Sequence, residues 1–262
     1  MRLDKYLLLK SFYNTRSSAQ NNIKLGNVSV NNKIVNNCHL EVNDNDVITI
    51  NKTNQYVSRG AYKLLGAIDE FKIDFNNQVV LDIGSSTGGF TQVAIQFGAK
   101  HVYSVDVGTD QMDKTLRSNP KITLYEQTHF NQLTPSMFND EINFVVADLS
   151  FISLTKLIDK LVTLFAHHYK LILLIKPQFE AGKAIADKYK GIILNKEIHI
   201  NIINDLINYF NSSGFYIKDL TSSPITGGDG NIEYLAYVSN KVKENKNLDV
   251  NAIVLNAFKS TK

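Results

Sequence analysis

The run Val79–Phe90, VVLDIGSSTGGF, constrains the fold of this 262-residue chain more than any other segment. Val79, Val80, Leu81 and Ile83 form a short apolar stretch, the pattern of a parallel strand covered on both faces. Gly84, Gly88 and Gly89 allow positive φ and let the backbone approach a ligand closely. The following TQVAIQF has helical periodicity, so the run predicts a strand, a glycine-rich turn and a helix start with free N–H groups. It reads as a cofactor loop.

Spacing narrows the cofactor without choosing it. A dinucleotide loop of the form G-x-G-x-x-G asks for glycines at 84, 86 and 89, and position 86 is Ser86. About twenty residues on, HVYSVDVG carries Asp106, a carboxylate placed to take the two hydroxyls of an adenosine ribose. NAD and S-adenosylmethionine both contain that ribose, so Asp106 alone does not discriminate.

The rest of the chain supplies the frame. Strands expected near Val79, His101, Ile122, Ile142 and Leu171 alternate with helical stretches near Thr91, Gln111, Leu154 and Glu197, which predicts a parallel sheet with helices on both faces. FYIKDLTSS and EYLAYVS, joined by PITGGDGN, suit an antiparallel pair at the sheet end. Residues 1–52 have a different texture. Leu3, Tyr6, Leu7 and Leu8 predict one helix, Ser17 with Gln20 opens a second over Ala19–Leu25 that Gly26 ends, and VSVNNKIV and DVITI predict short strands. The expected organisation is a small α+β domain over 1–52, a linker over 53–60, an α/β domain over 61–240 and a polar segment with a helix over 241–262.

Composition excludes some classes. The net charge of +3 permits an anionic partner without requiring one. The single cysteine, Cys38, can form neither an internal disulfide nor a cysteine metal cluster, so a reducing, cytoplasmic setting is expected. MRLDKYLLLKSFYN lacks the pattern of a secretory leader, and LILLI at 171–175 is far too short to span a bilayer, so no membrane association is expected.

Asp148 ends the apolar INFVVADLS and Lys176 ends the apolar LILLIKPQFE. In an open parallel sheet, the carboxyl ends of strands border the ligand crevice, so both side chains are expected to converge with Gly84 and Asp106. Lys63 follows a Ser-Arg-Gly turn, and Glu233 follows the second glycine-rich loop, GGDGN.

These residues carry three resemblances. RLDKYL and TRSSAQNNIKLGNVSVNNKIV resemble the S-four RNA-binding domain, which implies RNA contacts by Arg2, Lys5, Arg16 and Lys24. The order Lys63, Asp148, Lys176, Glu233 resembles the catalytic tetrad of FtsJ-like ribose 2′-O-methyltransferases. SRGAYKL, LDIGSSTGGFT, VYSVDVG, ADLSFISL, IKPQFEAGK and SPITGGDGNIEYL together resemble the TlyA family across almost the whole chain. That resemblance implies a Rossmann-like α/β methyltransferase with a seven-stranded, mostly parallel sheet. It also implies S-adenosylmethionine as cofactor, rRNA or ribosomal subunits as partner, and cytidine 2′-O-methylation as activity, with no metal. Carried over by motif, Asp82, Gly84, Ser85, Thr87, Gly88, Gly89, Phe90, Asp106 and Val107 fall on the cofactor site. The chain departs from the family pattern at His129-Phe130-Asn131, where an Asn-Ala-Arg is common, and at Gly60-Ala61, where Gly-Gly often precedes the tetrad lysine.

A ribose hydroxyl is a weak nucleophile, so a base must take its proton. Lysine serves only if its pKa falls from about 10.4 toward 7 to 8. Lys176 is the expected base, with Asp148 and Lys63 positioning it and Glu233 orienting the ribose or a lysine. Phe151 and Phe179, just beyond the strand ends, are expected near a base. The competing readings are a non-catalytic ribosome-assembly protein, a membrane-active haemolysin and a nicotinamide oxidoreductase, the last disfavoured by Ser86.

Overall fold

The computed structural model describes residues 1–13, 16–24, 26–50, 56–241 and 248–260. Contacts divide the chain into two units, Met1–Arg59 and Gly60–Lys262. The first part of the expected linker lies outside the described residues.

In the first unit, α1 (Leu3–Leu9) and α2 (Arg16–Lys24) bury Leu3, Tyr6, Leu7, Ala19 and Ile23 with Val28, Val30, Cys38 and Val42. The cysteine is a packing residue. β1 (Val28–Val30) and β2 (Lys33–Ile34) form an antiparallel hairpin, turned by Asn31 and Asn32 at φ of 51° and 63°. Asparagine tolerates that left-handed backbone, which matches the twist of the strands. β3 (Ile48–Ile50) pairs antiparallel with the other side of β1. The side chains of Ser17 and Lys24 lie outside the described residues.

Asp4 is the unexpected centre of this unit. Its carboxylate is fully buried and accepts from Arg2 Nε and Nη2 at 3.1 and 2.9 Å, Arg16 Nε at 2.9 Å and Gln20 Nε2 at 2.6 Å. Burial pushes its pKa up, but the Arg2, Gln20 and Arg16 bonds outweigh that and hold it well below the usual carboxylate range. Two arginines read from sequence as RNA contacts thus spend part of their hydrogen bonding inward, tying α2 to the start of α1. Their side chains stay 30% and 45% exposed. Lys5 is exposed, and Lys10 pairs with Asp44 at 2.8 Å.

The second unit opens with α3 (Gly60–Phe71) and continues β4 (Val79–Ile83), α4 (Gly89–Gln96), β5 (His101–Val105), α5 (Lys114–Arg117) and β6 (Ile122–Tyr125). It then runs β7 (Phe144–Ala147), α6 (Leu154–Leu164), β8 (Lys170–Ile175), α7 (Pro177–Glu180), α8 (Lys183–Lys188), α9 (Lys196–Ser212), β9 (Tyr216–Ser222), β10 (Tyr234–Ser239) and α10 (Val250–Ser260). The helix expected near Gln111 is only the single turn α5, capped by the Asp113 carboxylate on Thr115 N.

The sheet order is β6-β5-β4-β7-β8-β10-β9. β4 to β8 are parallel, and β10 is antiparallel to both of its neighbours. Every residue of β4 and β7 is buried, as strands covered on both faces require. α6 buries Leu154, Leu157, Ile158, Leu161 and Leu164, a helical stripe in which each side chain contributes about 1.5–3 kcal/mol. α10 places Val250, Val254 and Ala257 in the same core, so the apolar side of this terminal helix is taken up by packing.

β4 has β5 on one side and β7 on the other. The strand order reverses there, which opens a crevice at the carboxyl ends of the strands.

Asp4→Asn is expected to speed amide exchange in α1 and α2 near neutral pH, through a loss of about 2 kcal/mol. The depressed carboxylate stabilises the fold above its unfolded value of 3.8 and loses that effect as pH falls, so the gap between variant and wild type should close in acid. Hydrogen exchange of the full chain measures both.

Candidate active site

The glycine loop sits at the reversal. Gly84 takes φ +81°, and a Cβ there would stand 2.9 Å from the Asp148 carbonyl oxygen and 3.2 Å from Leu149 Cδ2. The missing side chain lets the end of β4 press against the end of β7, joining the loop to Asp148. Gly88 caps α4 in a left-handed conformation.

Asp106, just past β5, holds the loop from the other side. Its Oδ2 accepts from Ser86 N at 2.8 Å and its Oδ1 from Gly108 N at 2.7 Å. Val107 beside it is 66% exposed, while Gly84 and Thr87 are partly exposed. Asp82, Ser85, Gly88, Gly89 and Phe90 are buried and shape the loop from beneath. Asp82 Oδ2 accepts from Thr91 Oγ1 at 2.6 Å, and Thr91 also bonds Ser104 at 2.8 Å, linking β4, α4 and β5. Burial pushes the Asp82 pKa up to about 7, against the Thr91 bonds and with the charges of Asp148 and Asp106 adding to the rise.

The polar cluster lies along the same strand edge. Asp148 follows β7, Lys176 follows β8, Glu233 precedes β10 and Lys63 lies in the first turn of α3. Lys176 Nζ is 2.6 Å from Asp148 Oδ1, Lys63 Nζ is 3.4 Å from Asp148 Oδ2, and Lys63 Nζ is 2.7 Å from Glu233 Oε2. The four side chains are at most 21% exposed. The two lysines, far apart in sequence, share one carboxylate.

The lysines differ in surroundings. Burial lowers the Lys63 pKa, but Asp148 and Glu233 together raise it above the usual lysine value and hold it as an ammonium. Burial raises the Asp148 pKa, but Lys63 and Lys176 bring it below the ordinary range. Lys176 has a single carboxylate partner and a neutral one, Ser150 Oγ, at 2.9 Å.

Three further residues serve the cluster and were not singled out from the sequence. Ser150 sits two residues past Asp148. Glu180 accepts from Ser153 Oγ at 2.6 Å and Leu154 N at 2.9 Å, fastening the turn after β7 to the turn after β8. A Cβ at Gly227 would meet Glu233 Oε1 at 2.6 Å, so any larger residue there obliges that carboxylate to move. None bears a charge pattern or spacing that marks it before the fold is known. Phe151 and Phe179 do come together, with ring centroids 4.7 Å apart, and Lys176 Nζ lies 5.6 Å from the Phe179 ring. Phe151 is 89% exposed at φ +65°, a conformation that costs a non-glycine residue on the order of 1–2 kcal/mol. Among the histidines, His199 Nε2 donates to Ile193 O and its Nδ1 accepts from Tyr234 O–H, a buried structural pairing beside the Glu233 strand.

A glycine loop at the strand-order reversal, beside an acid-bridged lysine pair, defines an α/β methyltransferase. Residues 56–240 match the model of the FtsJ-like methyltransferases, and residues 1–48 match that of the S4 domain. Hemolysin A of Brachyspira hyodysenteriae is 40% identical over 90% of this chain and 99% of its own length. The 16S/23S rRNA (cytidine-2′-O)-methyltransferase TlyA of Mycobacterium tuberculosis is 32% identical over 90% of this chain and 89% of its own. A solved structure from Streptococcus thermophilus, described as a hemolysin candidate, is 32% identical with a TM-score of 0.78, covering 99% of this chain and 96% of the other. The chain belongs to the TlyA family of FtsJ-like methyltransferases.

The site fits S-adenosylmethionine. Each Asp106 oxygen has one backbone donor and a lone pair to spare, enough for the two donors of a ribose diol. Asp82 Oδ1 and Ser85 Oγ are buried without a hydrogen-bond partner, leaving acceptor capacity on the loop floor. The Asp106 carboxylate, with Asp82 part-ionised near neutral pH, places negative charge beside the loop, which suits a sulfonium cation.

Asp82 binds its proton more tightly folded than unfolded, about 7 against 3.8, so its ionisation penalty is absent in acid, grows as pH rises from 3.8 toward 7 and levels off above. Asp82→Asn should therefore gain on wild type between about pH 5 and about pH 8 in urea unfolding, by about 2–3 kcal/mol. Gly227→Ala should displace Glu233 and reduce methyl transfer at least about tenfold while S-adenosylmethionine still binds, as calorimetry and turnover would show.

Proposed function

We propose that the protein methylates the 2′-hydroxyl of cytidine in ribosomal RNA, using S-adenosylmethionine, in the cytoplasm. The observation that carries this reading is the lysine pair bridged by Asp148 at the strand edge that also carries the glycine loop. The relatives named for rRNA cytidine 2′-O-methylation, and the match to the S4 domain, support RNA as the substrate and ribosomal subunits as its source. Lys5, the exposed parts of Arg2 and Arg16, and Lys24 are the proposed phosphate contacts of the first unit.

S-adenosylmethionine supplies a methyl group on a sulfonium, ready for transfer to an oxygen nucleophile. Lys176 takes the proton from the ribose 2′-oxygen. Lys63, clamped by two carboxylates, stays charged and cannot act as the base at neutral pH. Asp148 holds both amines at fixed places, and Glu233 orients Lys63. Exclusion of bulk water from a cluster this enclosed strengthens these contacts, while most of the rate gain comes from alignment of hydroxyl, methyl and sulfur. Phe151 and Phe179 offer an aromatic surface for the target base, and a splayed-out nucleotide is the form in which RNA presents one.

Among the described residues, no helix is long and apolar enough to cross a bilayer.

Labelled cofactor with intact subunits, free rRNA and tRNA, followed by mapping of the methylated ribose, tests the substrate. Lys176→Ala should abolish multiple-turnover transfer, leaving a trace that only single-turnover assays read, and leave cofactor affinity near wild type. Equal loss of both would make Lys176 a structural residue and overturn the assignment.

A further inference from the structure

The Lys176 amine has two polar anchors, Asp148 Oδ1 at 2.6 Å and Ser150 Oγ at 2.9 Å. A neutral lysine amine carries two N–H bonds and one lone pair, set tetrahedrally about nitrogen with the bond to Cε. When each N–H has its own acceptor, the lone pair is left a single direction. With Asp148 alone, the amine pivots about one hydrogen bond and its lone pair sweeps an arc. The second anchor therefore decides whether the base faces the hydroxyl it must deprotonate.

The fold holds this second anchor in place from both sides. Asp148 N donates to Ile83 O at 3.3 Å, so the residue two before Ser150 is tied to the end of β4. Three residues after it, Ser153 Oγ is bonded by Glu180 at 2.6 Å. The intervening Phe151 is kept at positive φ, the mark of a turn whose path is determined by its surroundings. Ser150 itself is exposed, so its side chain contributes little to packing, and its polar contact is with Lys176.

We propose that Ser150 is a positioning residue for methyl transfer, holding one N–H of Lys176 so that the amine lone pair points at the incoming ribose 2′-hydroxyl. The proposal rests on Lys176 being the base of the proposed function. In the step it serves, the 2′-oxygen bonds to the methyl carbon, the carbon–sulfur electron pair stays on sulfur, and the hydroxyl proton passes to Lys176 Nζ. The ammonium so formed keeps both anchors.

The test uses the full-length protein, labelled S-adenosylmethionine and whichever rRNA or subunit the wild type methylates, with Ser150→Ala, Ser150→Thr, Lys176→Ala and the Ser150→Ala/Lys176→Ala double variant. Ser150→Ala should lower kcat about tenfold to a hundredfold, with KM for RNA and Kd for cofactor within about twofold of wild type. Ser150→Thr, which keeps the hydroxyl, should recover most of the rate. In single-turnover assays of residual activity, Ser150→Ala should cost nothing further once Lys176 is alanine, because the serine acts through that amine. A Ser150→Ala enzyme with wild-type kcat, a threonine variant as slow as alanine, or a full additional loss in the double variant would each overturn the proposal. The two levels separate cleanly: an inactive Lys176→Ala beside a normal Ser150→Ala removes only the role of Ser150. An active Lys176→Ala, or a wild type inert on every RNA, removes the functional reading and this proposal with it.

Discussion

The shared carboxylate of Asp148 is the interaction on which the rest of the second unit turns. Placing ionised groups in a largely enclosed site costs several kcal/mol per ion unless each is paired. Here the pairs form a chain from Glu233 to Lys63 to Asp148 to Lys176 and on to the neutral Ser150. The chain is unequal by construction. Lys63 lies between two carboxylates and is held charged, whereas Lys176 has half a carboxylate and a hydroxyl. Two residues of the same type are thereby given different chemistry by their neighbours alone.

Sheet topology makes the chain possible. Asp148 and Lys176 leave adjacent parallel strands at the same edge, as the alternating order of strands and helices requires. Glu233 could not arrive there from the start of another parallel strand, since that start would lie at the opposite edge. The reversal of β10, in register with Tyr234 opposite Ile175, brings its first residues to the edge where Lys176 stands. Gly227 leaves the space its carboxylate occupies, and Gly84 lets the cofactor loop close against the strand that delivers Asp148.

Much of this was legible beforehand because it depends on local pattern. Apolar runs marked β4, β7 and β8, and the glycine loop announced the start of α4. Asp148 and Lys176 were legible as charges at predicted strand ends, which is where an open sheet gathers its ligand contacts, whereas Lys63 and Glu233 were marked by the resemblance to the tetrad. Arg2 and Arg16 show the limit of such reading. A positive charge on a short helix looks the same in sequence whether it faces an RNA phosphate or a buried carboxylate twelve residues away, and Asp4 gave no sign of being buried. Ser150 and Gly227 escaped for the same reason: a hydroxyl and a missing side chain acquire meaning only from the atom opposite.

The sequence alone determined the strands, the turn chemistry and the set of polar groups, because these follow from periodicity, backbone freedom and side-chain type within a few residues. Tertiary structure decided which amine shares which carboxylate, which arginine turns inward and which glycine gives a carboxylate its room. Those outcomes depend on distances of 2.6 to 3.4 Å between residues as many as 170 positions apart, and no local pattern encodes a separation of that kind.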